Sequence, residues 1–136
     1  MGTNSRGVHF SSMIETPQTL LDWTNVLLTV ATIGFGAIGY LAPSYTMEKL
    51  ALKPDGGKLG YSEIRAANGA LFIGLGTAAI FIGSPVAFAM IGFAYAGAAF
   101  GRFTSIIADD SGTPTSWSFL AVEIVFAASL IWFNLT

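Results

Sequence analysis

Four long apolar runs, separated by short breaks of polar residues, glycine and proline, set the pattern of this chain. They cover about residues 20–42, 62–82, 86–108 and 116–135. A helix needs ~20 mostly apolar residues to cross ~30 Å of hydrocarbon, and each run is close to that length. A buried helix of a water-soluble bundle keeps a polar outer face, and these runs have almost none. The breaks are sharp. Pro43 stops the first run, since proline removes a backbone donor and clashes with the preceding turn. Gly83-Ser84-Pro85 is so short that the second and third runs form a tight hairpin, with Pro85 suited to a helix's first turn. The turn Asp109-Asp110-Ser111-Gly112-Thr113-Pro114 divides the third from the fourth, and Ser62 is a candidate N-cap for the second. Asp22 and Trp23 stand at the start of the first run, where an acid suits a helix N-terminus and an indole suits the headgroup level. The pattern predicts an all-α integral membrane protein, a four-transmembrane-helix up-down bundle over residues 20–136 behind a polar N-terminal tail, residues 1–19.

The one connection of any size runs from Pro43 to Tyr61. It carries Glu48, Lys49, Lys53 and Lys58 around the turn signal Pro54-Asp55-Gly56-Gly57. Tyr45 to Leu52 is expected to form a short interfacial helix with Met47, Leu50 and Ala51 on one side.

Composition agrees with the pattern. Hydrophobic residues make up 53% of the 136 residues and charged ones 10%, with a net charge of -2. A soluble domain carries about 25% charged residues, and so short a chain has too little interior to bury this much apolar surface in water. The near-neutral balance gives no basis for nucleic-acid binding. There are no cysteines, so neither a disulfide framework nor a thiolate metal site is available. The tail lacks the apolar region and cleavage site of a secretory signal peptide. Lysines and arginines gather on the side of the long link, with only Arg6 opposite. The positive-inside rule therefore places the link and the Asp109 turn in the cytoplasm, with both termini outside.

Against this apolar background the few charges inside the runs stand out. At 1.5 Å per residue, Arg102 lies roughly 9 Å inside the end of the third run. Glu123 is roughly 10 Å inside the start of the fourth, and Asn68 roughly 9 Å inside the second. All three depths are counted from the same side. This predicts an intramembrane polar cluster of Arg102 with Glu123, Asn68 beside them, and Glu63 with Arg65 nearer the interface. Charges within a span cost at least ~2.5–3.5 kcal/mol each, so they face the bundle and pair. Two acids against two bases balance, which favours an ion-pair network that orients helices over a proton relay with an unpaired acid. Small residues permit close helix contact, and Gly34, Gly36, Gly39, Gly69, Gly97 and Gly101 are the expected packing positions, with Gly74 and Gly76 in similar roles.

Other chemistry is poorly supported. Gly34-Phe35-Gly36-Ala37-Ile38-Gly39 matches a dinucleotide-binding spacing, but that motif needs a preceding strand and a helix start, and here it lies inside an apolar span. His9, the single histidine, is in the tail, so the spans offer no imidazole for haem or another metal, and no cofactor is expected. No serine has a base at a recognisable spacing.

The segment Ser62-Glu63-Ile64-Arg65-Ala66-Ala67-Asn68-Gly69 with Leu75-Gly76, then Gly101-Arg102 with Ile106-Ile107-Ala108-Asp109, and Glu123 resemble a family of small bacterial membrane proteins. That family is a domain of unknown function, numbered four-three-four-five. The resemblance runs from Leu20 onward and implies four helices and no assigned activity. Where its members typically have two adjacent glycines, this chain has Gly69-Ala70.

Two functions follow. One is a non-enzymatic accessory or structural subunit packing against a larger respiratory or photosynthetic membrane complex, through apolar aromatic outer faces that include Phe88, Phe93, Phe119 and Phe126. The other is a small oligomeric carrier or sensor that uses the Arg/Glu cluster to bind an anion or a proton.

Overall fold

The computed structural model describes residues 17–136; His9 and most of the predicted tail lie outside the described residues. Five helices form, and among the described residues there is no strand. They are α1 (Leu20–Leu41), α2 (Pro43–Lys49), α3 (Leu59–Ile82), α4 (Pro85–Ala108) and α5 (Pro114–Leu135). All but α2 are long and apolar enough to cross a membrane.

The helix ends follow local chemistry. Asp22 and Thr19 form a reciprocal capping box at α1: the Thr19 hydroxyl accepts from the Asp22 N–H (3.1 Å) and the Asp22 carboxylate accepts from the Thr19 N–H (3.0 Å). Pro43 opens α2 directly after α1 ends, so the chain turns a corner at Ala42. The interfacial helix ends earlier than the expected Leu52. Leu52 N–H bonds the Met47 carbonyl and Ala51 N–H bonds that of Glu48, a Schellman closure with Ala51 at φ 55° in the left-handed region. That reversal turns Ala51 outward, while Met47 is buried as expected. α3 starts three residues before Ser62, because the link closes tightly through Gly56 at φ 97° and a bond from Gly57 N–H to the Asp55 carboxylate (3.1 Å). α5 likewise starts at Pro114 rather than Ser116. Thr113 is the N-cap and Ser116 completes its capping box.

The segment Ile64–Ala70 of α3 is a π-helix, in which the Leu71 N–H reaches back five residues to the Ala66 carbonyl. Such wide turns are rare and concentrate at functional sites. This one falls on Arg65, Asn68 and Gly69.

The long helices pack as two pairs, α1 with α3 and α4 with α5, and the pairs meet each other more loosely. The buried residues of α1 are Asn25, Thr29, Thr32, Gly36 and Gly39, a stripe stepping by four and three with no large apolar side chain in it. On α5 the same stepping selects Leu120, Glu123, Ala127 and Leu130. Large apolar side chains instead point outward, among them Trp23, Leu27, Phe93, Phe100 and Ile107. On α1 this inverts the usual burial, with small and polar residues inside and large apolar ones outside, whereas Ile91, Tyr95, Leu120 and Leu130 form an apolar core between α4 and α5.

Glycines divide into two groups. A Cβ on Gly36 would come 2.7 Å from the Gly69 carbonyl oxygen, and one on Gly69 would come 2.7 Å from the Tyr40 nitrogen; one on Gly39 would be pressed harder still, against the Asn68 carbonyl oxygen. At these points the backbones of α1 and α3 are in direct contact. Gly34, Gly74, Gly97 and Gly101 have nothing within 4 Å of such an atom, so within this chain they are not packing positions. Gly92 is one: a Cβ there would sit 2.8 Å from an Ile131 side-chain carbon.

Candidate functional site

The inward stripe of α4 runs Ile91, Tyr95, Ala99, Arg102, Ile106, and it meets Leu120, Glu123 and Ala127 of α5. Arg102 and Glu123 are therefore set into an otherwise apolar seam, and they pair as expected. The guanidinium donates twice, from Nε to Oε2 at 2.9 Å and from Nη2 to Oε1 at 2.7 Å. This two-point geometry fixes both side chains, and the planar fork matches the carboxylate. Phe119, one turn before Glu123, lies under the guanidinium at 5.1 Å from its ring centre. Glu123 is buried and Arg102 is partly open, with side-chain exposures of 11% and 28%. Arg102 Nη1 has no partner among the described residues.

The exposed edge of Arg102 borders a cavity of about 450 Å³ between the two helix pairs. α1 contributes Phe35 and Ile38, α3 Asn68 and Phe72, α4 Tyr95 and Arg102, and α5 Phe119, Val122 and Glu123. The short α2 closes over it with Tyr45, Thr46, Lys49 and Leu50, the Lys49 ammonium lying 5.3 Å from the centre of the Tyr45 ring. One ring from each long helix underlies the cavity. Tyr95 meets Phe126 edge-on at 4.9 Å and Phe72 at 5.9 Å, and Phe126 meets Phe35 at 6.1 Å. The Thr32 hydroxyl donates to the Leu28 carbonyl (2.8 Å), so across the 3.0 Å contact Tyr95 is the donor and Thr32 the acceptor. On the far side of Tyr95 the bundle is closed by Ala79, Ile91, Ala127 and Leu130.

The predicted cluster divides. Asn68 lines the same cavity as Arg102 and Glu123, and its amide has no hydrogen-bond partner among the described residues. Glu63 and Arg65 do not join them. Glu63 is exposed and unpaired among the described residues. Arg65 donates to the Tyr40 carbonyl in the last turn of α1, with its guanidinium 5.7 Å from the Tyr40 ring centre. There it satisfies an orphan carbonyl and places a cation at the negative end of a helix dipole. The π-helix explains the division, since its extra residue per turn rotates Arg65 to α1 and leaves Asn68 toward the cavity.

Two further polar features lie outside the predicted cluster. At the opposite end of the bundle Asn25 and Asn134 exchange reciprocal amide bonds of 2.8 Å each, joining α1 to α5. Thr29, fully buried, leaves its hydroxyl without a partner among the described residues. The signal for both was the stepping of Asn25, Thr29 and Thr32 by four and three along an apolar run. The aromatic outer face also needs correction. Phe93 is exposed, but Phe88 packs on the central cluster, Phe119 lies beneath Arg102, and Phe126 stacks between Phe35 and Tyr95. Each of those three finds a partner inside the bundle, so of the four only Phe93 is presented outward.

A family model described as Domain of unknown function (DUF4345) matches residues 20–134. No curated protein and no solved structure matches the chain.

Proposed function

We propose that this chain, which belongs to the DUF4345 family, is a non-enzymatic multi-pass membrane protein that binds a small ligand in the cavity between its two helix pairs. The observation that carries this reading is that Arg102 and Asn68, whose amide has no hydrogen-bond partner among the described residues, line one space built from all five helices. Its volume of about 450 Å³ falls within the ~300–1,000 Å³ of small-molecule sites, which are largely apolar with a few convergent polar groups. The closed cluster beyond Tyr95 favours a sensor or binding protein over a carrier. The inverted burial pattern supports insertion in a bilayer. Lys49, Lys53 and Lys58 support an orientation in the bacterial inner membrane with the cavity on the cytoplasmic side and the termini periplasmic.

Because the chain has no cysteine, single introduced thiols report cleanly. In liposomes, Asn68→Cys is expected to react with a small polar thiol reagent much faster than Gly97→Cys on the outward face of α4. Equal inertness of the two would remove the cavity as a site. For orientation, Ser111→Cys is expected to be shielded from an impermeant reagent in intact cells while Ser84→Cys is labelled; the reverse labelling would invert the topology.

A second reading, as an accessory subunit of a larger membrane complex, is favoured by one observation. Gly97 and Gly101 form a small-xxx-small step with open space in front of both, flanked by the exposed rings of Phe93 and Phe100. If that face carries a partner helix, Gly97→Leu with Gly101→Leu abolishes co-purification of the partner while the isolated bundle keeps its helicity. Unchanged co-purification counts against it.

A further inference from the structure

We propose that the ligand of this cavity is an amphipathic anion, a single acidic head on a hydrocarbon or ring body; the inference rests on the cavity being a ligand site. Both oxygens of Glu123 are engaged by Arg102, so the one carboxylate among the described lining residues is already neutralised. What remains open is donor-rich: Arg102 Nη1, the Asn68 amide and the Lys49 ammonium. Summed over the lining, Lys49 and Arg102 against Glu123 leave one positive charge. A cationic ligand meets no free acceptor of opposite charge in the lining, and a neutral one gains nothing from the exposed Lys49 ammonium. The rest of the lining is apolar and largely aromatic, with Phe35, Phe72 and Phe119 facing the space. A molecule filling it therefore places hydrocarbon against the rings and acceptor oxygens toward Lys49 and Asn68.

The position fits the same class. Lys49 stands on α2, at the end of the bundle where the charged link begins, while Tyr95 and Phe72 lie deeper along their helices. An amphiphile in a bilayer has its head at the interface and its tail toward the midplane, the polarity that this cavity offers. Two sources share the chemistry, a free fatty acid and the acidic headgroup of a phospholipid.

The test uses the full chain in nanodiscs of zwitterionic phosphatidylcholine, titrated with dodecanoate, dodecanol and dodecylamine. Dodecanoate is expected to bind about tenfold or more tightly than dodecanol, the scale of one charge-assisted hydrogen bond, with dodecylamine no better than the alcohol. Lys49→Met should bring dodecanoate to the affinity of dodecanol without moving the latter, and Lys49→Arg should restore the preference. Dioleoylphosphatidic acid that displaces dodecanoate supports the lipid source, and failure to displace it supports the free acid. Equal binding of acid and alcohol, or a preference that survives Lys49→Met, overturns the anionic class while leaving the cavity as a site. Binding of all three probes that is unaffected by filling the cavity with Val122→Trp overturns the cavity reading itself, and the proposal with it.

Discussion

The two helix pairs meet the same requirement by different means. On the membrane reading proposed above, the hydrophobic effect does little to hold one apolar helix to another, so contact rests on close packing and polar bonds. α1 and α3 use the first. Gly36, Gly39 and Gly69 let two backbones touch, and Arg65 caps α1 where they part. α4 and α5 use the second as well, a two-point ion pair among larger side chains, with Gly92 as a single close approach. A glycine crossing has no volume to spare and binds nothing else. An ion pair keeps donors in reserve, and the cavity opens where that pair faces α3.

The ends of the bundle differ in the same way. At one end the Asn25–Asn134 amides are mutually satisfied, a closed contact. At the other, Arg102, Asn68 and Lys49 have donors without a hydrogen-bond partner among the described residues, around an open space. Polar groups that are fully paired hold structure, and those left open at a cavity wall are available to a ligand.

The difference can be broken in stages. The largest loss is expected from Arg102→Met, which leaves Glu123 buried without its partner; breaking such a pair costs ~3–5 kcal/mol. Adding Glu123→Met should recover most of that stability in reversible unfolding measurements in detergent. A double variant as unstable as the sum of the two singles would mean that the two side chains do not depend on each other. Next is Gly39→Ala, which drives a methyl into the Asn68 backbone and should cost ~1–3 kcal/mol, separating α1 from α3 while α4 and α5 stay paired. Cross-linking of cysteine pairs across each seam would read the two pairs independently. Asn25→Leu removes the closed amide contact and should cost only ~0.6–1.7 kcal/mol, the range of interhelical hydrogen bonds in membranes. Dodecanoate binding should be unchanged by it, since the contact lies at the other end. Smallest is Gly97→Ala, expected to be neutral or to stabilise α4 by up to ~1 kcal/mol, since nothing opposes the added methyl. A large loss there would show that this face is occupied.

Much of this was legible from residue spacing alone. Run length and punctuation gave the four long helices, and depth counting brought Arg102, Glu123 and Asn68 together, because rise along a helix is constant. Rotation about the helix axis was not legible in the same way. The π-helix at Ile64–Ala70 alters the turn that a regular count assumes, and Arg65 caps α1 instead of joining the cluster. Which glycines pack depends on that rotation too, which is why Gly39 and Gly101 look alike in sequence and differ in the fold. The inward turn of Phe119 and Phe126 was hidden because a long apolar run does not reveal its inner face when both faces are apolar. On α1 the polar residues did mark that face. The cavity depends on the corner at Ala42 that folds α2 over the bundle, a tertiary feature beyond any local pattern.

Most direct for the central claim is native mass spectrometry of the chain extracted from membranes in mild detergent, wild type beside Val122→Trp. The account predicts a stoichiometric low-mass adduct on the wild type that is lost when the tryptophan fills the cavity, with helicity unchanged. A wild type that flies without any adduct, or an adduct that Val122→Trp leaves in place, would contradict it.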